Sequence, residues 1–297
     1  MVYHSGELEV QQTAGVQEQA KDLVNIIKSS LTPVAHYFLS SQQLAIVSTI
    51  DANRRVWASL LTGKPGFIQV IDQQLVRIDA AQIVGDPLSK NLLFRDEIGI
   101  LVIDLATRRR LRLNGKAQLQ PHSIYVQIQQ VYFNCPKYIQ LRRRATDSQK
   151  SCNPKLQDSH TLTQAQQNWI AASDTFFIAS YHPESGADAS HRGGNPGFVK
   201  VLDAKTLVFP DYSGNNMFNT LGNLTINPLS GLLFIDFEGG SILQVTGKAR
   251  IIWDSERVAA FAGAARLVEF EIEQVKANTS AIPLRWQFLE SSPFNPD

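Results

Sequence analysis

The sequence is poor in cysteine, with Cys135 and Cys152 as the two cysteines among 297 residues. Two cysteines cannot build a disulfide framework, and this scarcity suits a reducing cytosol. The chain also lacks an apolar run of the ~18 residues that a membrane-spanning helix needs. Its polar N-terminus has no basic segment leading into an apolar one, as a secretory signal would. We therefore expect a cytoplasmic protein without a membrane partner.

A strong charge of one sign is also absent, since the formal net charge is +1. Proteins that bind nucleic acids usually carry a strongly basic face, so we expect no nucleic-acid partner. Two short basic runs, 108–110 and 142–144, are interpreted as solvated turns or helix ends. The 43% hydrophobic and 19% charged content indicates a globular chain, long enough for one large or two ordinary domains.

The pattern of apolar residues changes along the chain. Residues 1–43 carry apolar side chains at helical spacing, with Pro33 marking a break or a second helix start. Short segments rich in Ile, Val and Leu then alternate with turn residues, which is typical of antiparallel strands. Polar residues 145–163 lack periodicity and are predicted to be a linker, and a second strand series opens at Phe176. The expected units are a helical segment 1–43, a module 44–144, the linker 145–163 and a module 164–297.

The two strand series repeat each other. Residues 63–72 resemble 194–203 at an offset of 131, and residues 99–104 and 114–117 resemble 231–236 and 246–249 at an offset of 132. This repeat predicts two similar β modules packed as a pseudo-two-fold pair. The strand count and a short helix in each module favour a small closed or split β-barrel, with a binding site where the barrels meet.

The two copies differ in polarity at one place. The second copy is rich in Gly and amide side chains over residues 190–197 and 211–223, and we expect one strand over 198–209 to join these two segments. In the alignment of the two copies, His191 and Arg192 correspond to Leu60 and Leu61. Backbone amides, side-chain amides and a guanidinium group are typical ligands of an anion, although the amides could instead cap turns and a helix. The predicted binding residues are Ser190, His191, Arg192, Gly193, Asp211, Tyr212, Asn216, Asn219, Thr220 and Asn223, with Lys137 and Tyr138 contributed by the first module.

Other chemistries have weaker support. His182, His191 and Asp188 have no cysteine or second carboxylate at ligand spacing, so we expect no metal site. Ser190 and His191 are adjacent on a predicted strand and point to opposite faces, which excludes a catalytic dyad. Cys135 is interpreted as a small buried residue, with a redox nucleophile as the alternative.

Several segments together resemble the pyridoxamine 5′-phosphate oxidase-related, FMN-binding split-barrel family, and more narrowly a bacterial subgroup with tandem modules. They are residues 4–7, 14–16, 133–140, 190–194, 215–223 and 283–286. The resemblance implies a mainly β (α+β) fold of two tandem antiparallel split barrels with FMN between them. It places a phosphate-contacting residue at Lys200 and a residue facing the flavin near Gln244. Trp286, near the C-terminus, is interpreted as a core or lid residue, with an aromatic side chain over the flavin ring as the alternative. The Arg-Lys pair of the classical oxidase is replaced by Asn219-Thr220, which argues against oxidation of vitamin B6.

The function implied is that of an FMN-dependent oxidoreductase acting on a small molecule, in which the cofactor carries the redox chemistry. No catalytic residue is assigned. The chain is expected to act as an internal pseudo-dimer that can pair further into a homodimer. Two alternatives stay open: a non-catalytic flavin-binding or sensing protein, and a haem-binding split barrel that uses His191 or His182.

Overall fold

Helices cover the N-terminal part of the chain in the computed structural model, which describes residues 3–80, 83–145 and 154–296. They are α1 (Ser5–Thr13), α2 (Gln17–Asp22), a 3-10 turn (Val24–Ile26) and α3 (Pro33–Ser41). Proline is favoured at the first helical position, and the Thr32 side chain caps α3 by accepting a hydrogen bond from the Ala35 amide at 3.2 Å. Among the described residues, no helix is long and apolar enough to cross a membrane.

The first split barrel follows α3. Its elements are β1 (Leu44–Ile50), β2 (Val56–Thr62), β3 (Ile68–Val70), β4 (Leu75–Ile78), α4 (Leu88–Phe94), β5 (Glu97–Asp104), β6 (Arg109–Gln120) and β7 (Ser123–Asn134), and β8 (Leu141–Arg144) comes after it. The sheet has the antiparallel order β2-β1-β5-β6-β7-β4-β3.

The second split barrel has the same strand order. Its elements are β9 (Lys155–Ser159), α5 (Gln164–Ala172), β10 (Thr175–His182), β11 (Gly186–Gly193), β12 (Lys200–Val201), β13 (Thr206–Tyr212), α6 (Asn219–Ile226), β14 (Leu229–Ile235), β15 (Ile242–Ile252), α7 (Ser255–Ala259), β16 (Ala264–Thr279) and β17 (Trp286–Glu290). The order is β11-β10-β14-β15-β16-β13-β12, with β9 paired to β16, while β17 pairs with β8 of the preceding segment. The mainly β fold of two antiparallel split barrels is therefore confirmed.

Two local predictions differ from the structure. The run 198–209 is not one strand but the hairpin β12–β13, because the Asp203 carboxylate accepts a hydrogen bond from the Lys205 amide at 2.6 Å and turns the chain. Of the predicted linker 145–163, residues 146–153 lie outside the described part of the chain. Residues 155–159 form the edge strand β9.

The two barrels share a buried interface as well as having separate cores. Strand β1 is buried along its whole length because Ala45 and Val47 face the core of the first barrel, whereas Leu44 and Ile46 face the second barrel. Close approach also depends on a glycine in each barrel. A Cβ at Gly99 would lie 2.6 Å from the Asp188 Cα, and one at Gly231 would lie 3.0 Å from the Trp57 Cα.

Candidate functional site

A cavity opens where β6 and the end of β7 in the first barrel meet β11, β13 and the start of α6 in the second. We call it the anion cavity. Because side chains alternate along a strand, Arg110 and Arg112 on β6 both point toward the second barrel. Its lining also includes Tyr138, Ser190, Arg192 and, from the start of α6, Asn219 and Thr220.

Arg112 is the most extensively bonded cation of the cavity. Its side chain is 6% exposed, and its Nε lies 3.0 Å from Asp188 Oδ1. Nη1 donates at 2.7 Å to Tyr132 Oη and at 2.7 Å to Asn219 Oδ1, and Nη2 donates to Ser190 Oγ. Each of its three nitrogens therefore has a partner, and Arg112 positions the residues around it.

Arg192 and Arg266 share one carboxylate. Arg192 Nη2 lies 3.6 Å from Asp211 Oδ1, and Arg266 Nε lies 3.5 Å from Asp211 Oδ2. Among the described residues, Arg192 Nε and both Nε and Nη1 of Arg266 have no hydrogen-bond partner. Burial, opposed by the two guanidinium groups, raises the pKa of Asp211. Arg266 is buried and Arg192 is partly buried, and the single carboxylate between them leaves buried donor nitrogens that an anion would satisfy.

Burial and Arg110 together keep His191 neutral and select which ring nitrogen carries the proton. Burial lowers the pKa of Arg110 to about 10, so the guanidinium still carries its charge at neutral pH. Its Nη1 lies 3.1 Å from His191 Nδ1, and a guanidinium group can only donate, so Nδ1 accepts. Burial, together with the nearby Arg110 and Arg192, holds the pKa of His191 well below its ordinary value. The neutral ring therefore carries its proton on Nε2, which is buried and has no partner among the described residues.

The mouth of the cavity is formed by residues in unusual backbone conformations. Tyr138, Asn216 and Phe218 have positive φ angles of 67°, 59° and 60°. Tyr138 Oη donates to the Ser213 carbonyl oxygen at 2.8 Å, which joins the two barrels across the opening. The Tyr138 and Tyr212 rings lie 5.1 Å apart. Left-handed conformations at non-glycine residues are costly and concentrate at functional sites, which fits a binding role for this rim.

A buried carboxyl group supports α6 from behind. Glu7 on α1 accepts hydrogen bonds from Asn219 Nδ2 at 2.6 Å and from the His4 amide at 2.9 Å. Burial raises the pKa of Glu7 to about 7. Burial and the stacked His182 ring lower the pKa of His4 to about 4, and His4 Nε2 lies 3.0 Å from Asn223 Oδ1. The N-terminal helix is therefore part of the framework that holds Asn219 in place.

Ten of the fifteen residues predicted as cofactor-binding line the anion cavity: Tyr138, Ser190, His191, Arg192, Gly193, Asp211, Tyr212, Asn216, Asn219 and Thr220. Lys137 lies at the mouth, with its exposed Nζ 3.4 Å from the Ser213 carbonyl oxygen.

The other four predicted residues do not line the cavity. Lys200 is exposed, with Nζ 4.3 Å from the centre of the Phe261 ring. Asn223 bonds His4 and Ser180 behind α6. Gln244 lies in a different cleft, and Trp286 packs edge-on against Phe237 in the interface core.

Sequence reasoning missed Arg110, Arg112 and Asn134, all from the first barrel. The interpretation of the two basic runs as solvated is wrong at one residue in each. Arg110 lines the cavity, and Arg142 is buried with Nη2 2.6 Å from the Asp174 carboxylate. Strand alternation around β6 could have shown that 110 and 112 share a face, but not that this face meets a second barrel.

Within the described ranges, no cluster of three His, Cys, Asp or Glu side chains could hold a metal ion.

Comparison with known proteins identifies the second barrel. Residues 162–287 match the family model described as pyridoxamine 5′-phosphate oxidase. This part of the chain is therefore similar to the pyridoxamine 5′-phosphate oxidase family, over less than half of the 297 residues. The match includes β11, β13 and α6, which supply most of the cavity, whereas Arg110 and Arg112 lie outside it.

Solved structures resemble stretches of about one barrel in length. HupZ of Group A Streptococcus is 15% identical, over 38% of this chain and 91% of its own, with a TM-score of 0.33. The FAD binding protein of Mycobacterium smegmatis is 15% identical, over 41% and 98%, with a TM-score of 0.29. A Clostridium acetobutylicum protein related to general stress protein 26 of B. subtilis is 9% identical, over 41% and 89%, with a TM-score of 0.29. No match was found among curated proteins.

Proposed function

We propose that this chain is a cytoplasmic flavoprotein that binds FMN in the anion cavity between its two barrels. The observation that carries the proposal is the set of buried donors without partners among the described residues, which are Arg192 Nε, Arg266 Nε and Nη1, and His191 Nε2. Three guanidinium groups line the cavity, from residues 110, 112 and 192, with the Asp211 carboxylate. Behind this lining, Arg266 pairs with Asp211, and Asp188 pairs with Arg112. This excess of positive charge suits a phosphate group.

The residues present fit the two ends of such a cofactor. Arg192, Arg266 and His191 would donate hydrogen bonds to the phosphate oxygens, and Arg112 would keep Ser190 and Asn219 in position. Tyr138 and Tyr212 at the mouth offer aromatic surface to a flavin ring. When bound, a flavin supplies hydride and electron transfer, so the proposed activity is oxidation or reduction of a small molecule. A sensing protein would bind the same cofactor and not turn it over with reduced nicotinamides.

Haem binding has less support from the geometry. An iron ligand needs a ring nitrogen with a free lone pair. In His191 the Nδ1 lone pair accepts from Arg110 and Nε2 carries the proton. In His182 the Nδ1 accepts from the amides of Glu184 and Ser185 at 3.1 Å, and the ring does not line the cavity. Absorption spectra of the protein with added haem test this argument. A Soret band that disappears when His191 or His182 is substituted would contradict it.

A binding titration tests the flavin proposal. We expect FMN fluorescence to be quenched as the purified full chain is added, and Arg192→Ala to weaken binding by about 10- to 100-fold, the usual effect of losing a charge-assisted hydrogen bond. Lys200→Ala removes an exposed cation of the same barrel and serves as the control, with unchanged affinity expected. Failure of the wild-type chain to bind FMN would refute the proposal, and equal affinity of Arg192→Ala would show that the site is misplaced.

A further inference from the structure

The shared strand order creates a second cleft at the pseudo-symmetric position. The strand registers give the correspondence: Arg112 lies opposite Leu101 on β5, and Gln244 lies opposite Leu233 on β14. The second cleft is lined by Gln244, Lys276 and Asn278, together with Gly85 from the segment before α4. Strand β15 holds the place in the second sheet that β6 holds in the first, and α4 precedes β5 as α6 precedes β14.

The two clefts share part of their hydrogen-bonding framework. Arg112 Nε donates to the Ala189 carbonyl oxygen at 3.2 Å, and Gln244 Nε2 donates to the carbonyl oxygen of Ala58, the equivalent residue on β2, at 2.8 Å. Ser190 and Ser59 also occupy equivalent positions. Each serine bonds to the neighbouring group of its cleft, Arg112 Nη2 in one case and the Asp86 carboxylate in the other. The second cleft is therefore a counterpart of the anion cavity rather than an unrelated groove.

The cations of the anion cavity are missing from equivalent positions of the second cleft. Gln244 replaces Arg112, Ile242 replaces Arg110, and Leu61 replaces Arg192, as the ladder registers show. Lys276 lines the second cleft, but its Nζ lies 2.8 Å from the Asp158 carboxylate. Lys90 is the other cation in the lining, and it is exposed.

An internal carboxylate accepts hydrogen bonds from the residues equivalent to Ser190 and Arg112. The Asp86 side chain accepts hydrogen bonds from Ser59 Oγ at 2.7 Å, from the Leu88 amide at 2.8 Å and from Gln244 Nε2 at 2.9 Å. Burial raises the pKa of Asp86 to about 6, so the group is charged at neutral pH. A bound phosphate would have to compete for these donors and lie beside a like charge, which costs free energy.

We infer that the chain binds one phosphate-bearing ligand rather than two, because the Asp86 carboxylate occupies the donors of the second cleft. The ligand class rests on the proposed function, but the one-site asymmetry rests on the two sets of contacts. The chain thus differs from a symmetric pair of barrels, in which both clefts would carry the same residues.

The stoichiometry of FMN binding tests this inference on the full chain. We expect one FMN per chain, lost in Arg192→Leu, which introduces the residue that the second cleft has at this position. Lys276→Ala removes a cation of the second cleft and should keep both the stoichiometry and the affinity. Arg192→Lys retains the charge and should still bind one FMN more weakly, which separates loss of the site from loss of folding.

Two results would overturn the inference: two FMN per chain, or a single site that Lys276→Ala removes and Arg192→Leu retains. If the wild-type chain binds no FMN, the flavin proposal fails, and inorganic phosphate followed by phosphorus NMR line broadening becomes the probe. Broadening that Arg192→Leu abolishes and Lys276→Ala preserves would still support a single anion site. Broadening that survives Arg192→Leu, or no broadening at all, would refute it.

Discussion

Glu7 should make the protein less stable as the pH rises from about 5 to 8. The residue is 4% exposed, and burial raises the pKa of its carboxyl group from the ordinary 4.5 to about 7, although the hydrogen bonds from the His4 amide and Asn219 oppose the shift. In this range the folded state holds a proton that the unfolded chain has released, so the free energy of unfolding falls with pH. Linkage gives about 2.5 kcal/mol for this group between pH 5 and pH 8.

Glu7→Gln isolates this contribution. Glutamine has nearly the same shape, suits the third helical position of a capping box and does not titrate. Urea unfolding of both proteins at several pH values gives the difference in free energy of unfolding, and groups that titrate alike in both cancel. We expect Glu7→Gln to gain about 2.5 kcal/mol relative to the wild type between pH 5 and pH 8.

The control is Glu9→Gln, which removes the same charge from the exposed side of the same helix. Parallel pH curves for the wild type and Glu7→Gln would refute the reasoning, because they would mean that Glu7 ionises in the folded protein as it does in the unfolded chain. A gain for Glu7→Gln at low pH that disappears at high pH would contradict the sign of the shift.

Two further substitutions test the packing around the site. Gly222→Ala should lower the free energy of unfolding by about 1–3 kcal/mol, because the new Cβ would lie 2.6 Å from the backbone nitrogen of Glu7 and push α1 away. Urea unfolding measures this change, and an unchanged midpoint urea concentration would contradict the contact. Arg142→Ala should cost about 3–5 kcal/mol because it leaves the Asp174 carboxylate without Nη2, which donates to both of its oxygens. A double substitution with Asp174→Ala should recover part of the loss. An additive double mutant would show that the pair does not interact.

Local sequence patterns were sufficient to predict the strands whose side chains are buried along their whole length. Strands β1 and β2 fall on short segments rich in Ile, Val and Leu of the kind that the sequence analysis assigns to strands, since these residues are buried on both faces. Strand β9 left no such signal, because its residues are mostly exposed and it is held by the backbone ladder to β16. The break at Asp203 was detectable as turn chemistry but lay within a run that otherwise alternates.

The binding residues divide in the same way. His191, Arg192 and Asn219 stood out because the repeat supplied an apolar or plain counterpart for comparison. Arg110 gave no such contrast, since a basic run beside a turn is usually solvated. Its burial depends on β6 of one barrel facing β11 of the other.

The sequence alone therefore carried the fold class, the repeat and the polarity of the second module, because these depend on residue types and spacing along the chain. Docking of the barrels decided which cations meet. It brought Arg110 to His191 and Arg112 to Ser190, pairs that are 81 and 78 residues apart in sequence, and it left Asp86 to accept hydrogen bonds from Ser59 and Gln244 at the second cleft. Long-range contacts of this kind are set by the packing of two surfaces, for which spacing within either strand holds no information.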